Sequence, residues 1–265
     1  MHGLRSETTN ENCDNKSPIK NPPKELQDHI GGGDFEFVGN RLFNHFLKYG
    51  ELKPNETILD VGSGCGRLAI PLTKYMNKEG HYEGFDIDLR CVEWCRANIS
   101  ICSPNFYFSF ADIFNAFYNK NGKIRQDEYV FPYHSDSFDF IFLTSVFTHM
   151  LPKDVEHYFS EISRVLKPNG RCIISFFLLN FQSRLLLDQK KCQIPFIDSK
   201  KNYYFGDEKI HEAVVAYEED FVLRLYSNYN LSVRNPIFYG TWSGREIHNN
   251  EKWSGFQDLI IATKM

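Results

Sequence analysis

The apolar residues of this chain fall into short runs separated by stretches of a different period, and that alternation limits what the chain can fold into. Thr57 to Val61, Tyr82 to Phe85, Phe106 to Phe110, Phe138 to Leu143 and Arg171 to Leu179 are apolar runs of strand length. Between them, Arg67 to Met76, Leu89 to Ile99 and Pro152 to Leu166 repeat their apolar residues at helical spacing. Val155, Phe159, Ile162 and Leu166 form the clearest stripe. Strands that alternate with helices pair in parallel, and a parallel sheet needs cover on both faces. The last part of the chain breaks the rhythm. Phe221 to Tyr229 reads as a helix, but Leu231 to Tyr239 and Asp258 to Thr263 read as strands with only a loop between them. Two strands joined without a helix run antiparallel. The expectation is an α/β fold: a doubly wound sheet, parallel for five strands and closed by an antiparallel pair.

A chain of 265 residues can bury one full core as a single domain. Residues 1–30 are polar and rich in Asn, Lys, Glu and Pro, which predicts a disordered tail. Gly31, Gly32 and Gly33 form a joint, and Phe35 to Leu52 is an amphipathic helix closed by Pro54. Lys167-Pro168-Asn169-Gly170 is a turn, because Pro presets one dihedral and Asn-Gly accepts positive φ. Two segments, 113–137 and 181–211, lie outside the strand–helix rhythm and read as insertions. The net charge is −4, whereas proteins with a polyanionic partner usually carry a basic face, so a nucleic-acid partner is disfavoured. No apolar run reaches membrane-spanning length, and residues 1–30 lack an export core. No two of the seven cysteines have the spacing of a redox or zinc motif, so reduced thiols and a cytoplasmic protein are expected, with no metal site.

The stretch ILDVGSGCGR, from Ile58 to Arg67, places glycines at 62, 64 and 66 directly after the first strand. Glycine there lets the backbone turn tightly and approach a ligand. The spacing is not the G-x-G-x-x-G of dinucleotide loops, and no lysine follows to reach a phosphate. Asp60 precedes the loop. It would repel a pyrophosphate and attract an ammonium or a sulfonium. Asp86 ends the second strand, where a carboxylate can accept both hydroxyls of a ribose. Asp112 ends the third and can accept from the exocyclic amine of a base, although a role as a turn cap would explain it as well. Together the three acids suit a ligand with a cationic end, a ribose and an adenine.

ILDVGSGCGR, GFDID, FADI, FDFIFLTS and LKPNGRCIIS follow one another in an order and spacing that resembles class I S-adenosylmethionine-dependent methyltransferases. The likeness runs from about residue 35 to the end. It implies a doubly wound, seven-stranded, mostly parallel sheet with an antiparallel closing strand, S-adenosylmethionine as methyl donor, and a methyltransferase domain over 31–265. By position, Asp60 and the backbone of Gly62, Ser63, Gly64, Cys65 and Gly66 would face the methionine part. Asp86 would hold the ribose, Ile87 would pack on the adenine, and Asp112 and Ile113 would read its edge. Thr144 and Ser145 would line the methyl-donor mouth. IGGGDFEFVGNRLF resembles the amino-terminal lid of some small-molecule members, which makes residues 31–53 a helical lid.

His149 lies just past the fourth strand, where methyl and acceptor would meet, and is the candidate general base. The competing reading is packing or substrate contact. Orientation alone supplies about 7–11 kcal/mol of barrier reduction, whereas a base adds about 10²–10⁴-fold, so the base is optional. Of the aromatics, Tyr203 to Phe205 are the better pocket candidates because they fall in an insertion. Asn21-Pro22-Pro23 resembles part of a DNA-amine methylation signature but stands on the wrong side of the glycine loop. A small or medium organic acceptor methylated at O, N or C is the leading expectation. A protein or RNA acceptor, and a non-catalytic cofactor-binding module, remain as alternatives.

Overall fold

The computed structural model describes residues 19–198, 202–246, 253 and 255–265. Of the expected tail, residues 1–18 lie outside the described residues. The part that is described is not a tail throughout, because α1 (Lys24–His29) forms a short helix. α2 (Phe35–Lys48) follows, and its N-cap Asp34 accepts from the Phe37 N–H at 2.7 Å.

The alternation read from the sequence then appears in order: β1 (Thr57–Val61), α3 (Ala69–Tyr75), β2 (His81–Asp86), α4 (Leu89–Cys95), β3 (Phe106–Phe110), β4 (Phe138–Leu143), α5 (Pro152–Val165) and β5 (Leu166–Phe176). Pro71 sits in the first turn of α3, where a missing N–H costs nothing. α4 runs on into one π-helical turn, Arg96–Ser100. The 167–170 turn is present as an irregularity inside β5 rather than a turn before it. Leu166 pairs with Phe138, but the next pair is Arg171 with Phe140, and Asn169 takes φ 62°.

The 181–211 segment is more structured than an insertion without motifs suggests. β6 (Leu178–Leu179), α6 (Phe181–Asp188), β7 (Ile197–Asp198), β8 (Tyr203–Phe205) and β9 (Val215–Glu218) build a second, four-stranded sheet in the order β6-β9-β8-β7. α7 (Glu219–Asn228), β10 (Leu231–Phe238) and β11 (Asp258–Lys264) complete the chain.

The main sheet has the order β10-β11-β5-β4-β1-β2-β3. Only β11 is reversed, antiparallel to both β5 and β10. Side-chain alternation explains the two-sided cover. In β1, Ile58 joins a core with α2, α3 and α4, while Leu59 and Val61 join one with α5 and α7. Strand order reverses between β1 and β4, so a crevice opens at the carboxyl ends of these strands.

The edge opposite that crevice is fixed by a buried ion pair. Arg171 in β5 donates to both oxygens of Glu56 at 2.8 Å and to the carbonyls of Gly50, Glu51 and Asp139. Among the described residues Cys65, Cys91, Cys95, Cys172 and Cys192 are free thiols. Cys102 is in a disulfide, which departs from the expectation of reduced thiols at an exposed position open to oxidation. No helix among the described residues is long and apolar enough to cross a membrane.

Removing one partner of a buried pair leaves an uncompensated charge. Arg171→Ala is therefore expected to cost about 3–5 kcal/mol, read as a lowered urea midpoint. A midpoint equal to that of the wild type would show that the pair does not hold this edge.

Candidate active site

The crevice is a cleft of about 760 Å³. Its floor is the loop after β1. Gly62, Gly64 and Gly66 take φ of 78°, 51° and 81°, the left-handed region that glycine enters freely. The N–H groups of Gly62 and Ser63 both donate to the carbonyl of Phe85. The Gly64 N–H donates to Asp86 Oδ2 at 2.7 Å, and the Asp88 N–H donates to Asp86 Oδ1 at 2.8 Å. A side chain at Gly62 would meet Val146 at 2.5 Å, and one at Gly64 would meet Ile30 at 2.8 Å. These two glycines thus admit the loop after β4 and the strap before α2 onto the turn.

Asp60 is 2% exposed and faces the cleft. Its Oδ2 accepts from the Tyr82 hydroxyl at 2.6 Å, but Oδ1 is buried without a hydrogen-bond partner. Burial pushes its carboxyl up to about 8 against the pull of that hydroxyl, and the charge of Asp86 adds to the rise. Asp86 is also raised by burial, while the backbone donors pull it back.

The cleft is also lined by His149, in a short 3₁₀ turn after β4. Its Nδ1 lies 3.2 Å from the carbonyl oxygen of Glu212, and its Nε2 lies 3.4 Å from the Tyr118 hydroxyl. Burial lowers its pKa, opposed by backbone carbonyls, so the imidazole is neutral near pH 7.

A family model described as a methyltransferase domain matches residues 52–209. The chain belongs to that family. It is 28% identical over 142 residues to the ubiquinone/menaquinone biosynthesis C-methyltransferase of Wigglesworthia glossinidia brevipalpis, covering 53% of this chain and 51% of that protein. It is 24% identical over 140 residues to the tRNA N(3)-cytidine methyltransferase METTL2 of Gallus gallus, covering 52% and 35%. The chain thus spans about half the length of these curated relatives, or less. Its fold resembles the crystal structure of the PH0226 protein of Pyrococcus horikoshii, with a TM-score of 0.58 at 16% identity over 89% and 93% of the two chains. S-adenosylmethionine is the methyl donor of this enzyme class.

Among the methyltransferase-type positions singled out in the sequence, Asp60, Gly62, Ser63, Gly64, Asp86, Ile87, Ile113, Thr144, Ser145 and His149 all line the cleft. Three do not. Cys65 is fully buried in the core behind the loop, and Gly66 packs against Ile99 of the π turn. Asp112 is turned to the outside, where Lys123 sits 3.5 Å away. Its backbone carbonyl is used in pinning residues 123 and 124. Ser145 takes φ 61°, and its N–H donates to Ser175 while its hydroxyl donates to Gln257.

Several wall residues carried no motif: Tyr118, Asn115, Gln126 and Gln257. The lid expectation at 31–53 extends further back, since Asp28, His29 and Ile30 line the cleft together with Gly31, Gly32, Val38, Arg41 and Leu42. Arg67 fastens this strap by donating to the Gly31 carbonyl at 3.0 Å.

An acid whose folded pKa is raised holds a proton that the unfolded chain gives up. Asp60 therefore favours the fold fully below its ordinary 3.8 and loses that contribution as pH rises toward about 8. Asp258, raised to about 7, acts the same way. Stability in urea is expected to fall as pH rises from about 5 to about 8, and Asp60→Asn should flatten the decline. An equally steep decline in that variant would remove Asp60 as a source.

Proposed function

We propose that this protein transfers the methyl group of S-adenosylmethionine to an O, N or C nucleophile of a small or medium organic acceptor. The observation that carries this reading is the shared cleft: a buried Asp60 oxygen without a hydrogen-bond partner beside the glycine loop, and His149, whose Nδ1 meets the Glu212 carbonyl, line the same cavity. Its volume, about 760 Å³, lies within the range of small-molecule sites.

The donor fits the residues present. When bound, it supplies a methyl group already activated on a sulfonium. Asp60 Oδ1 would meet its cationic end. Each oxygen of Asp86 has one backbone donor and a lone pair to spare, so the carboxylate can accept two further hydroxyls. Ile87 and Ile113 belong to the apolar wall and would face the flat adenine. Thr144 and Ser145 stand between this half and His149, and the left-handed backbone of Ser145 is held by Ser175. The strap from Asp28 to Gly32 borders the loop, held by Arg67 and by Ile30 against Gly64, and would shield the transfer from water.

A tRNA relative makes RNA the alternative acceptor. The charge distribution favours the small molecule. Arg90, Arg125, Arg164, Arg171, Arg184 and Arg234 each lie against a carboxylate of this chain, so their charge is spent internally.

Titration calorimetry with S-adenosylmethionine and its demethylated product tests the reading, and no heat of binding with the wild type would end it. Asp86→Ala is expected to weaken the donor by about 1.5–3 kcal/mol, and an unchanged dissociation constant would take Asp86 out of the site. A cation beside Asp60 draws its carboxyl to the ionised form, so binding near pH 7 should release a proton. The apparent enthalpy will then depend on the ionisation heat of the buffer, and its absence would place the cationic end elsewhere. The acceptor itself is sought by incubating metabolite extract with methyl-labelled donor and reading labelled products by mass spectrometry.

A further inference from the structure

His149 is one half of a pair. Its Nε2 faces the hydroxyl of Tyr118 at 3.4 Å, and the two rings meet edge to face with centroids 4.9 Å apart. Both residues line the cleft. Phe117 lies parallel to the imidazole, 6.1 Å away, and edge-on to Tyr118. Tyr118 comes from the segment after β3, so the pair joins two strand ends that are not adjacent in the sheet.

Glu212, from the short turn before β9, ties the pair together. Its carbonyl faces His149 Nδ1. Its carboxylate accepts from Gln126 Nε2 at 2.8 Å, from the Ala116 N–H at 3.3 Å and from Asn115 Nδ2 at 3.4 Å. Asn115 Nδ2 also donates to the His149 carbonyl at 2.9 Å, and Asn115 Oδ1 accepts from the Tyr118 N–H at 2.8 Å. One glutamate therefore sets the imidazole from one side and seats the tyrosine from the other. With Nδ1–H donating to the Glu212 carbonyl, the Nε2 lone pair is directed at Tyr118.

We propose that Tyr118 is a further catalytic residue, which contacts a protic acceptor and relays its proton to His149, and that Glu212 is the positioning residue of the pair. This rests on the methyl-transfer reading. As the acceptor atom bonds to the methyl carbon, the carbon–sulfur bond breaks and its electron pair stays on sulfur. The acceptor's proton passes to the Tyr118 oxygen while the Tyr118 hydroxyl proton passes to His149 Nε2. The imidazolium then returns its proton to solvent. The tyrosine never carries a charge, which suits a phenol held up to about 12 by burial. The acceptor class is thus one with an X–H bond to lose: a hydroxyl, an amine or an acidic carbon. Thioethers and tertiary amines gain nothing from such a relay.

The titratable groups around the imidazole are Tyr118 and Glu212. Asp86 bears on Tyr118, and Asp154 and His211 are coupled to Glu212. The full chain, labelled with ¹⁵N, is read by long-range proton–nitrogen correlation, with the His149 signals assigned by their loss in His149→Gln. We expect the Nδ1–H tautomer and an ionisation below the ordinary 6.5. Tyr118→Phe removes a donor to neutral Nε2, so it should raise that ionisation while leaving the tautomer in place. Label transfer from methyl-labelled donor into metabolite extract should fall about 10²–10⁴-fold in Tyr118→Phe. Its rise with pH should move with the His149 ionisation, and donor affinity by calorimetry should stay within about twofold. Glu212→Ala should reproduce the loss, and Glu212→Gln should restore part of it. The opposite tautomer, or wild-type transfer in Tyr118→Phe with unchanged donor binding, overturns the relay and leaves the methyl-transfer reading standing. Failure of the wild type to bind donor overturns both.

Discussion

The hydrogen bond from the Gly64 N–H to Asp86 Oδ2, 2.7 Å long, is the point through which the rest of the site is set. It locks the turn after β1 to the end of β2, and it does so only because three alternate glycines accept positive φ. Once the turn is fixed, its bare backbone becomes a surface on which other segments close. Ile30 packs on Gly64 and Val146 on Gly62, each at a distance that a methyl group would abolish. The loop is therefore a hub for the strap and for the exit of β4 as much as a cradle for a ligand.

Two buried aspartates show how the same residue type takes opposite roles. Asp258 is 2% exposed, and its oxygens are met by the N–H groups of Leu178 and Gly240 and by Trp242 Nε1. It joins the main sheet to the second one, and its chemistry is complete within the chain. Asp60 is equally buried and lines the cleft, but keeps one oxygen without a donor. An unsatisfied buried carboxylate oxygen costs stability and persists where something else completes it. That contrast, rather than burial or a raised pKa, separates a structural acid from a candidate ligand of a cation.

The sheet was legible because strand and helix periods differ and because β1 and β4 are buried on two faces, which writes each of them as an apolar run; β3, at the sheet edge, is an apolar run although Tyr107 and Phe110 are exposed. Their bounds in the structure match the runs in the sequence. The second sheet was not legible. Its strands β6 and β7 have two residues each and β8 has three, too few to show any period. The aromatic stretch at Tyr203 to Phe205 stood out, but Val215–Glu218, the strand that pairs with it, carried no signal of its own. Asp112 shows the reverse failure. It holds the position that the family resemblance gives to an adenine contact, yet its carboxylate faces Lys123 outside the cleft while the next residue, Ile113, lines it. A strand end alternates sides with each residue, so Asp112 and Ile113 point to different surroundings.

The two walls of the cleft differ in how sequence encodes them. Asp60, Gly62, Gly64 and Asp86 lie within 27 consecutive residues, and their geometry follows from two adjacent strand ends. Asn115, Tyr118, Gln126, His149 and Glu212 span almost a hundred residues and meet only through hydrogen bonds between polar side chains and loop backbone. Such bonds leave no periodicity and demand no special backbone angle, so apart from His149, which its place after the fourth strand singles out, each residue taken alone reads as an ordinary polar group. The physical reason is the fold itself. In a doubly wound sheet the crevice is open at the strand ends, and whatever covers it must be supplied by connections of no fixed length. Those connections can change without disturbing the core. Glu212 binds two of them to its own, the connection after β3 through its carboxylate and the one after β4 through its carbonyl, and no single residue of the wall shows that from the sequence.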